Sequence, residues 1–229
     1  MIEIKGLKKD YFLGNTKVHA LRGIDFYVTA GELLSVVGPS GSGKTTLLNV
    51  IGCIDYPTEG TITIGGINIS TLNDKQISDI RLHKIGFIFQ TFNLIPVLDV
   101  RENVEFPLLL RKSHSKSEIR KRADKLIEAV GLKEHVNHRP AELSGGQRQR
   151  VAVARALVTN PEIILADEPT ANLDSVTGAS ILELMREMNA KEKTTFIFST
   201  HDENVLKYAQ RIVKIKDGLI IDGRYEQKT

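Results

Sequence analysis

The stretch "LLSVVGPSGSGKTT", running from Leu33 to Thr46, decides how this sequence is read. Its first five residues are apolar or small, as a strand buried on both faces requires. The next eight match G-x-x-x-x-G-K-[ST] at every fixed position, and residues 46–54 continue as a helical run. Glycines between a strand and a helix let backbone N–H groups turn toward one point, at a helix N-terminus whose dipole already favours an anion. The pattern predicts a phosphate cradle built from Gly38, Ser40, Gly41, Ser42, Gly43 and Thr46. Lys44 would reach the β- and γ-phosphates of a nucleotide, and Thr45 would offer its hydroxyl to Mg²⁺.

Outward from this loop, short β-rich runs alternate with helical patterns, which predicts an α/β fold. Strands are expected at residues 2–4, 24–28, 33–37, 61–64, 85–89, 163–166, 195–199 and 212–216. The runs at 33, 163 and 195 are apolar enough for a mostly parallel central sheet, while the charged early runs suit a peripheral antiparallel sheet. One helix is clearly marked. Ser115 and Glu118 form a capping-box pattern, and Ile119, Ala123, Leu126, Ile127 and Val130 recur at helical spacing before Gly131. That helix is expected to belong to a helical subdomain at 91–160, inserted in a nucleotide-binding core formed by 1–90 and 161–229.

The run Ile163 to Thr170, "IILADEPT", ends an apolar strand in two carboxylates. Such groups are costly at the carboxyl end of a central strand unless a cation needs them. Asp167 fits the Mg²⁺ shell, and Glu168 is free to polarise an attacking water as general base. Gln90 and His201 also leave strand ends and could reach the same sheet edge.

Composition limits the function classes. The chain has 229 residues, 41% of them hydrophobic, enough for one α/β domain with a full core. Its 31 Lys+Arg against 28 Asp+Glu leave a net charge of +3, too balanced for a nucleic-acid binder. A lone cysteine, Cys53, suits a reducing compartment. The opening "MIEIKGLKKDY" has no apolar core of a signal peptide, no apolar run approaches the roughly 18 residues of a membrane span, and the sequence stops soon after "KDGLIIDG". A cytosolic chain tied to a membrane only through a partner is expected, without a C-terminal regulatory domain.

A second glycine-rich stretch, "LSGGQRQR" from Leu143 to Arg150, raises a separate question. Ser144 is a natural N-cap, and Gly145, Gly146 and Gln147 open a helix packed through Val151, Ala154, Leu157 and Val158. This is another anion-binding helix start, but it lacks a lysine. On physical grounds it could serve a second ligand or another chain's nucleotide.

With these motifs in this order, the sequence resembles the ABC-transporter ATPase family along essentially its whole length. The resemblance implies a P-loop NTPase core with an antiparallel β subdomain and a helical signature subdomain. It implies MgATP as ligand, a head-to-tail homodimer in which LSGGQ closes on the partner's γ-phosphate, and an integral membrane permease as partner, with no nucleic acid. The family's motifs map onto Tyr11 as the adenine-stacking aromatic, Gln90, the signature from Leu143 to Gln147, Asp167 with catalytic Glu168, a D-loop from Ala171 to Asp174, and His201 as the γ-phosphate switch. Thr45, Gln90 and Asp167 would serve Mg²⁺. Asn172 departs from the small residue more usual in that D-loop. "GPSGSGKTTLLNVIGCID" and "FIFQTFNLIPVLDVRENVEFPLLL" look most like ATPase subunits for lipoprotein release or macrolide export, peripheral to the cytoplasmic face of the membrane. A permease-free ATPase of the iron–sulfur-assembly or DNA-repair class is the alternative; the latter inserts long heptad coiled coils, which are absent here.

Other features read as structural. Cys53 sits among Val50, Ile51 and Ile54 as a small hydrophobe, and His135 and His138 have ligand spacing but no further ligand nearby. The basic run from Arg111 to Arg122 reads as a solvated helix start, with lipid headgroups as the minor alternative. Phe92, Leu94, Ile95, Val97 and Leu98 are either a buried segment or a docking patch.

Overall fold

In the computed structural model, which describes residues 1–222, the phosphate loop sits where two sheets and a helical layer meet. The central sheet has the order β10–β9–β3–β8–β7–β6. These strands are β3 (Leu33–Val37), β6 (Ile85–Ile88), β7 (Ile163–Asp167), β8 (Thr195–Ser199), β9 (Arg211–Lys216) and β10 (Leu219–Asp222). All neighbours are parallel except β10, which folds back on β9. Every residue of β7 and β8 is buried, which explains their unbroken apolar runs. The second sheet, β1 (Ile2–Leu13), β2 (Thr16–Val28), β4 (Glu59–Ile64) and β5 (Ile67–Asn68), is antiparallel in the order β2–β1–β4–β5. The expected α/β architecture with its antiparallel addition is the observed one.

Two apolar clusters cover the faces of the central sheet. One joins the antiparallel sheet to α1 (Lys44–Ile51) through Ile4, Leu21, Ile62, Leu47 and Ile197. The other joins α3 (Val100–Arg111), α4 (Lys116–Ala129), α5 (Gly145–Leu157) and α6 (Ser175–Glu192) through Val104, Ile127, Val151, Ile181 and Phe196. A buried ion pair, Arg211 Nε to Glu32 Oε1 at 2.6 Å, fixes β9 beside the start of β3.

Several boundaries differ from the sequence reading. The strands expected at 2–4 and 24–28 run on into a long hairpin, whose outer half exposes Phe12 and Leu13 and therefore lacks alternation. The helix expected from Thr46 begins at Lys44 and stops at Ile51, because Gly52 caps it and Cys53 turns left-handed at φ 57°. The strand expected at 85–89 ends at Ile88. The marked helix spans Lys116–Ala129, with Ser115 and Glu118 forming the anticipated capping box. Helices α2 (Asp74–Lys84), α3, α6 and α7 (Glu203–Leu206) had not been anticipated.

Candidate active site

The parallel strands β3, β7 and β8 end on the same edge, and the site lies there. From β3 the chain enters the loop and then α1 with Gly43 as N-cap at φ 104°. Two glycines are dictated by close approach. A Cβ on Gly38 would lie 2.1 Å from the Ile215 carbonyl oxygen, and one on Gly43 would lie 2.7 Å from that of Ala20. The loop is thus pressed against both sheets and keeps its amides turned outward. Lys44 Nζ donates to the carbonyls of Gly38 at 2.8 Å and Pro39 at 3.0 Å, bridging the loop it follows.

A cavity of about 600 Å³ opens over this loop, lined by Gly38, Ser40, Gly41, Gly43, Lys44, Thr45 and Thr46. Gln90, Asp167, Glu168 and His201 face the same cavity, so strand ends far apart in sequence converge as expected. Thr45 Oγ1 donates to Asp167 Oδ2 at 2.8 Å. Glu168 adopts a left-handed φ of 48° and is held at both oxygens. Oε1 lies 2.6 Å from His201 Nδ1, and Oε2 accepts from Thr200 Oγ1 at 3.0 Å. The Glu168 side chain is nearly buried while that of His201 is 82% exposed, so the pair joins a buried carboxylate to a solvent-facing ring.

Other expected residues fall outside the lining. Ser42 is buried under the loop. Tyr11 pairs across the hairpin with Val18, which does line the cavity, so it stands at the rim. Its hydroxyl donates to Asp55 at 2.8 Å, and Lys9 lies 4.9 Å from its ring centroid. Burial, with Asp55 beside it, raises the Tyr11 phenol above its ordinary range. None of Ser144, Gly145, Gly146 and Gln147 faces this cavity. Ser144 caps α5 in a capping box with Gln147, and a Cβ on Gly146 would meet the Asn172 carbonyl oxygen at 3.1 Å. Asp174 caps α6, accepting from Val176 and Thr177 amides, and the second of these leads in holding its carboxyl below the ordinary range.

Sequence reasoning missed Val18, His19 and Ala20, which line the cavity from β2. It also missed Thr200, whose place directly before His201 was the available signal.

A second groove, about 470 Å³, lies between α2, β6, α3 and α5, with Arg81, Phe87, Phe89, Leu110 and Arg155 among its walls. The segment after Gln90 is pinned beside it. Arg155 donates to the carbonyls of Phe92 and Asn93, both left-handed, while the buried Asn103 bonds Ile95, Leu98 and Asp99 backbone. Burial lowers the Arg155 guanidinium to about 10. Of the five apolar residues of this segment only Val97 is exposed, the others being half-buried; Leu94 packs against the helical cluster.

Comparison with known proteins fits this arrangement. The family profile described as "ABC transporter" matches residues 21–171. The chain belongs to the ABC transporter family. An ABC transporter ATP-binding protein of Methanocaldococcus jannaschii, MJ0796, is 48% identical over 221 residues, covering 95% of this chain and 94% of that protein. The macrolide export ATP-binding/permease protein MacB of Rhodopirellula baltica is 44% identical over 223 residues, covering 97% of this chain and 33% of its own length. A solved dimeric structure of the MJ0796 cassette in a post-hydrolysis state, bound to ADP and Pi, superposes with a TM-score of 0.96 at 45% identity and complete coverage of both chains. Within this ABC cassette, among the described residues, no helix is long and apolar enough to cross a membrane.

Proposed function

We propose that this cassette binds MgATP in the 600 Å³ cavity, pairs head to tail with a second copy, and hydrolyses ATP to drive a membrane permease. The carrying observation is the convergence of the Gly38-to-Thr45 cradle, the Thr45–Asp167 pair and the Glu168–His201 pair on one sheet edge.

The cradle amides and Lys44 hold the phosphates, the lysine exchanging its loop carbonyls for phosphate oxygens. The residues fit Mg²⁺: Thr45 and Asp167 place a hydroxyl and a carboxylate together, and Gln90 faces the same space. Bound there, Mg²⁺ would neutralise phosphate charge. Glu168 accepts the proton of the attacking water, its left-handed backbone and Thr200 bond fixing its direction. His201 leaves Glu168 to steady the γ-phosphate. Tyr11 stacks on adenine from the rim.

Ser144 and Gly146, turned away from their own chain's cavity, serve the partner's γ-phosphate, and Asp174 holds the adjoining D-loop at the same interface. The dimeric MJ0796 cassette supports this reading. The MacB relatives, whose names join ATP-binding and permease functions, support a permease partner. Relatives of this chain's own length, described as ATP-binding proteins, support a permease on a separate chain, and the macrolide-export names of the MacB relatives favour export or lipoprotein release as the work it does. Residues 91–160 would form the subdomain that carries the signature, and the cassette would lie at the cytoplasmic face of the membrane. Mg²⁺-dependent ATP hydrolysis by the purified chain, lost in Glu168→Gln with ATP binding intact, tests the assignment; hydrolysis that survives in that variant would overturn it.

A further inference from the structure

His135 lies on the loop between α4 and α5 and reaches the signature turn through its Nε2. Gln147 Nε2 is 2.9 Å from His135 Nε2. The other end of the same amide is fixed: Ser144 N donates to Gln147 Oε1 at 2.8 Å, while Gln147 N donates to Ser144 Oγ at 3.2 Å. A backbone N–H can only donate, so the oxygen of Gln147 must face Ser144 and its NH₂ must face His135. An amide NH₂ has no lone pair to offer, and His135 Nε2 must therefore be the acceptor, with the ring proton on Nδ1. That Nδ1 is buried and has no hydrogen-bond partner among the described residues, so the contact at Nε2 alone selects the tautomer.

We propose that His135 is a positioning residue for the signature turn and acts only as the neutral, Nδ1-protonated ring. Protonation at Nε2 would set N–H against NH₂. The amide must then turn over, which places its NH₂ against the Ser144 N–H and opens the capping box that orients Ser144. The surrounding charges are otherwise engaged. Arg150 donates to the Val130 and Gly131 carbonyls, Arg148 lies over the Phe92 ring, Lys133 pairs with Glu128, and Glu142 accepts from the Arg139 amide. Glu134 is exposed, and His138, with its ring centroid 5.2 Å away, is the titratable side chain in ring contact with His135. The functional consequence rests on the signature acting at a partner's nucleotide; the tautomer does not.

Nitrogen NMR of the full chain labelled in histidine, at about pH 8, tests the tautomer directly. The signal lost in His135→Phe should show the Nδ1-protonated neutral ring, and an Nε2-protonated ring would overturn the proposal. In a Glu168→Gln background, His135→Phe should weaken the ATP-driven dimer by about fivefold, the loss of one hydrogen bond. His135→Gln supplies an accepting oxygen in place of the ring nitrogen, so that variant should retain the dimer strength of its parent. Equal dimer strength in the phenylalanine and glutamine variants would overturn the coupling. A chain that never dimerises would count against the proposed function, while the nitrogen spectrum still decides the tautomer.

Discussion

Thr45 Oγ1 donates to Asp167 Oδ2 at 2.8 Å, linking the first turn of α1 to the last residue of β7 across 122 positions of sequence. The bond joins the phosphate loop to the carboxylate strand and places both oxygens where a phosphate-bound cation would need them. Thr45→Val keeps the shape and removes the hydroxyl. A lost bond to a charged group is worth about 1.5–3 kcal/mol, so the Mg²⁺ concentration for half-maximal hydrolysis should rise at least about tenfold. An unchanged Mg²⁺ titration would remove Thr45 from the metal site.

Lys44 bridges two carbonyls of its own loop, and those bonds are replaced rather than added when phosphate enters. Lys44→Ala should leave the fold intact and weaken ATP binding by about tenfold or more, the scale of one charge-assisted bond gained in the exchange. Calorimetric titration of the folded variant gives the answer, and wild-type affinity would refute the cradle assignment.

Burial pushes the Cys53 thiol up to about 11, with Arg81 pulling weakly the other way. At pH 8 roughly one thiol in a thousand is ionised, so alkylation should be slow until denaturant exposes the chain. The folded value lies above the unfolded one, so the folded state keeps its proton longer. Stability from this group is complete below about pH 9 and is lost as pH rises through about 11. Thermal melts across that window should fall less steeply for Cys53→Ala. Rapid alkylation of the native protein at pH 8 would contradict the buried placement.

The parts of this molecule legible in sequence are those where one residue type has one physical reason to be present. Gly38 and Gly43 must lack a Cβ because backbone oxygens lie within 2.7 Å of where it would be, and β7 is apolar because both its faces are covered. The marks of α2 and α3 were also present, as the capping boxes Asn73 with Gln76 and Asp99 with Glu102. They were hidden because only Ile77 and Ile80 of α2 are buried, while α3 holds Pro107 inside it and exposes Phe106, Leu109 and Leu110, which blurs its apolar period. The outer half of the β1–β2 hairpin buries little, so no alternation announced it. The lining residues Val18, His19 and Ala20 come from that hairpin, and only the pairing of distant strands brings them over the phosphate loop. Sequence spacing cannot express such a contact.

The segment after Gln90 is neither simply core nor simply surface, and this changes how a docking role is tested. Leu94→Asp would charge a side chain packed on the helical cluster and risk unfolding it. Val97, 70% exposed and held in place by the Asn103 bonds nearby, is the cleaner probe. If the permease covers this segment, Val97→Asp should abolish co-purification with it and leave the melting temperature of the isolated chain within a few degrees, as surface substitutions do. Undiminished co-purification would take Val97 out of the interface.

Glu168→Gln separates binding from chemistry and tests why the chain has two glycine-rich turns. The substitution keeps the bond from Thr200 but cannot accept a proton. A positioned base is worth about 10²–10⁴-fold, so hydrolysis should fall by that factor, roughly 3–5 kcal/mol of barrier, while ATP still binds. The signature turn does not face its own chain's cavity, so a nucleotide that is held and not cut should join two chains, seen by light scattering as a monomer-to-dimer shift on adding MgATP. Ser144 is exposed, and Ser144→Arg in the same background should reverse that shift by filling the cradle meant for the other chain's γ-phosphate. Arginine also removes the N-cap of α5, at a cost of about 1 kcal/mol. Ser144→Ala removes the cap without the bulk and serves as the control, expected to weaken the dimer less. If Ser144→Arg still dimerises with ATP, the signature lies outside the interface. If Glu168→Gln binds ATP tightly and stays monomeric, the isolated chain does not use its second cradle at all.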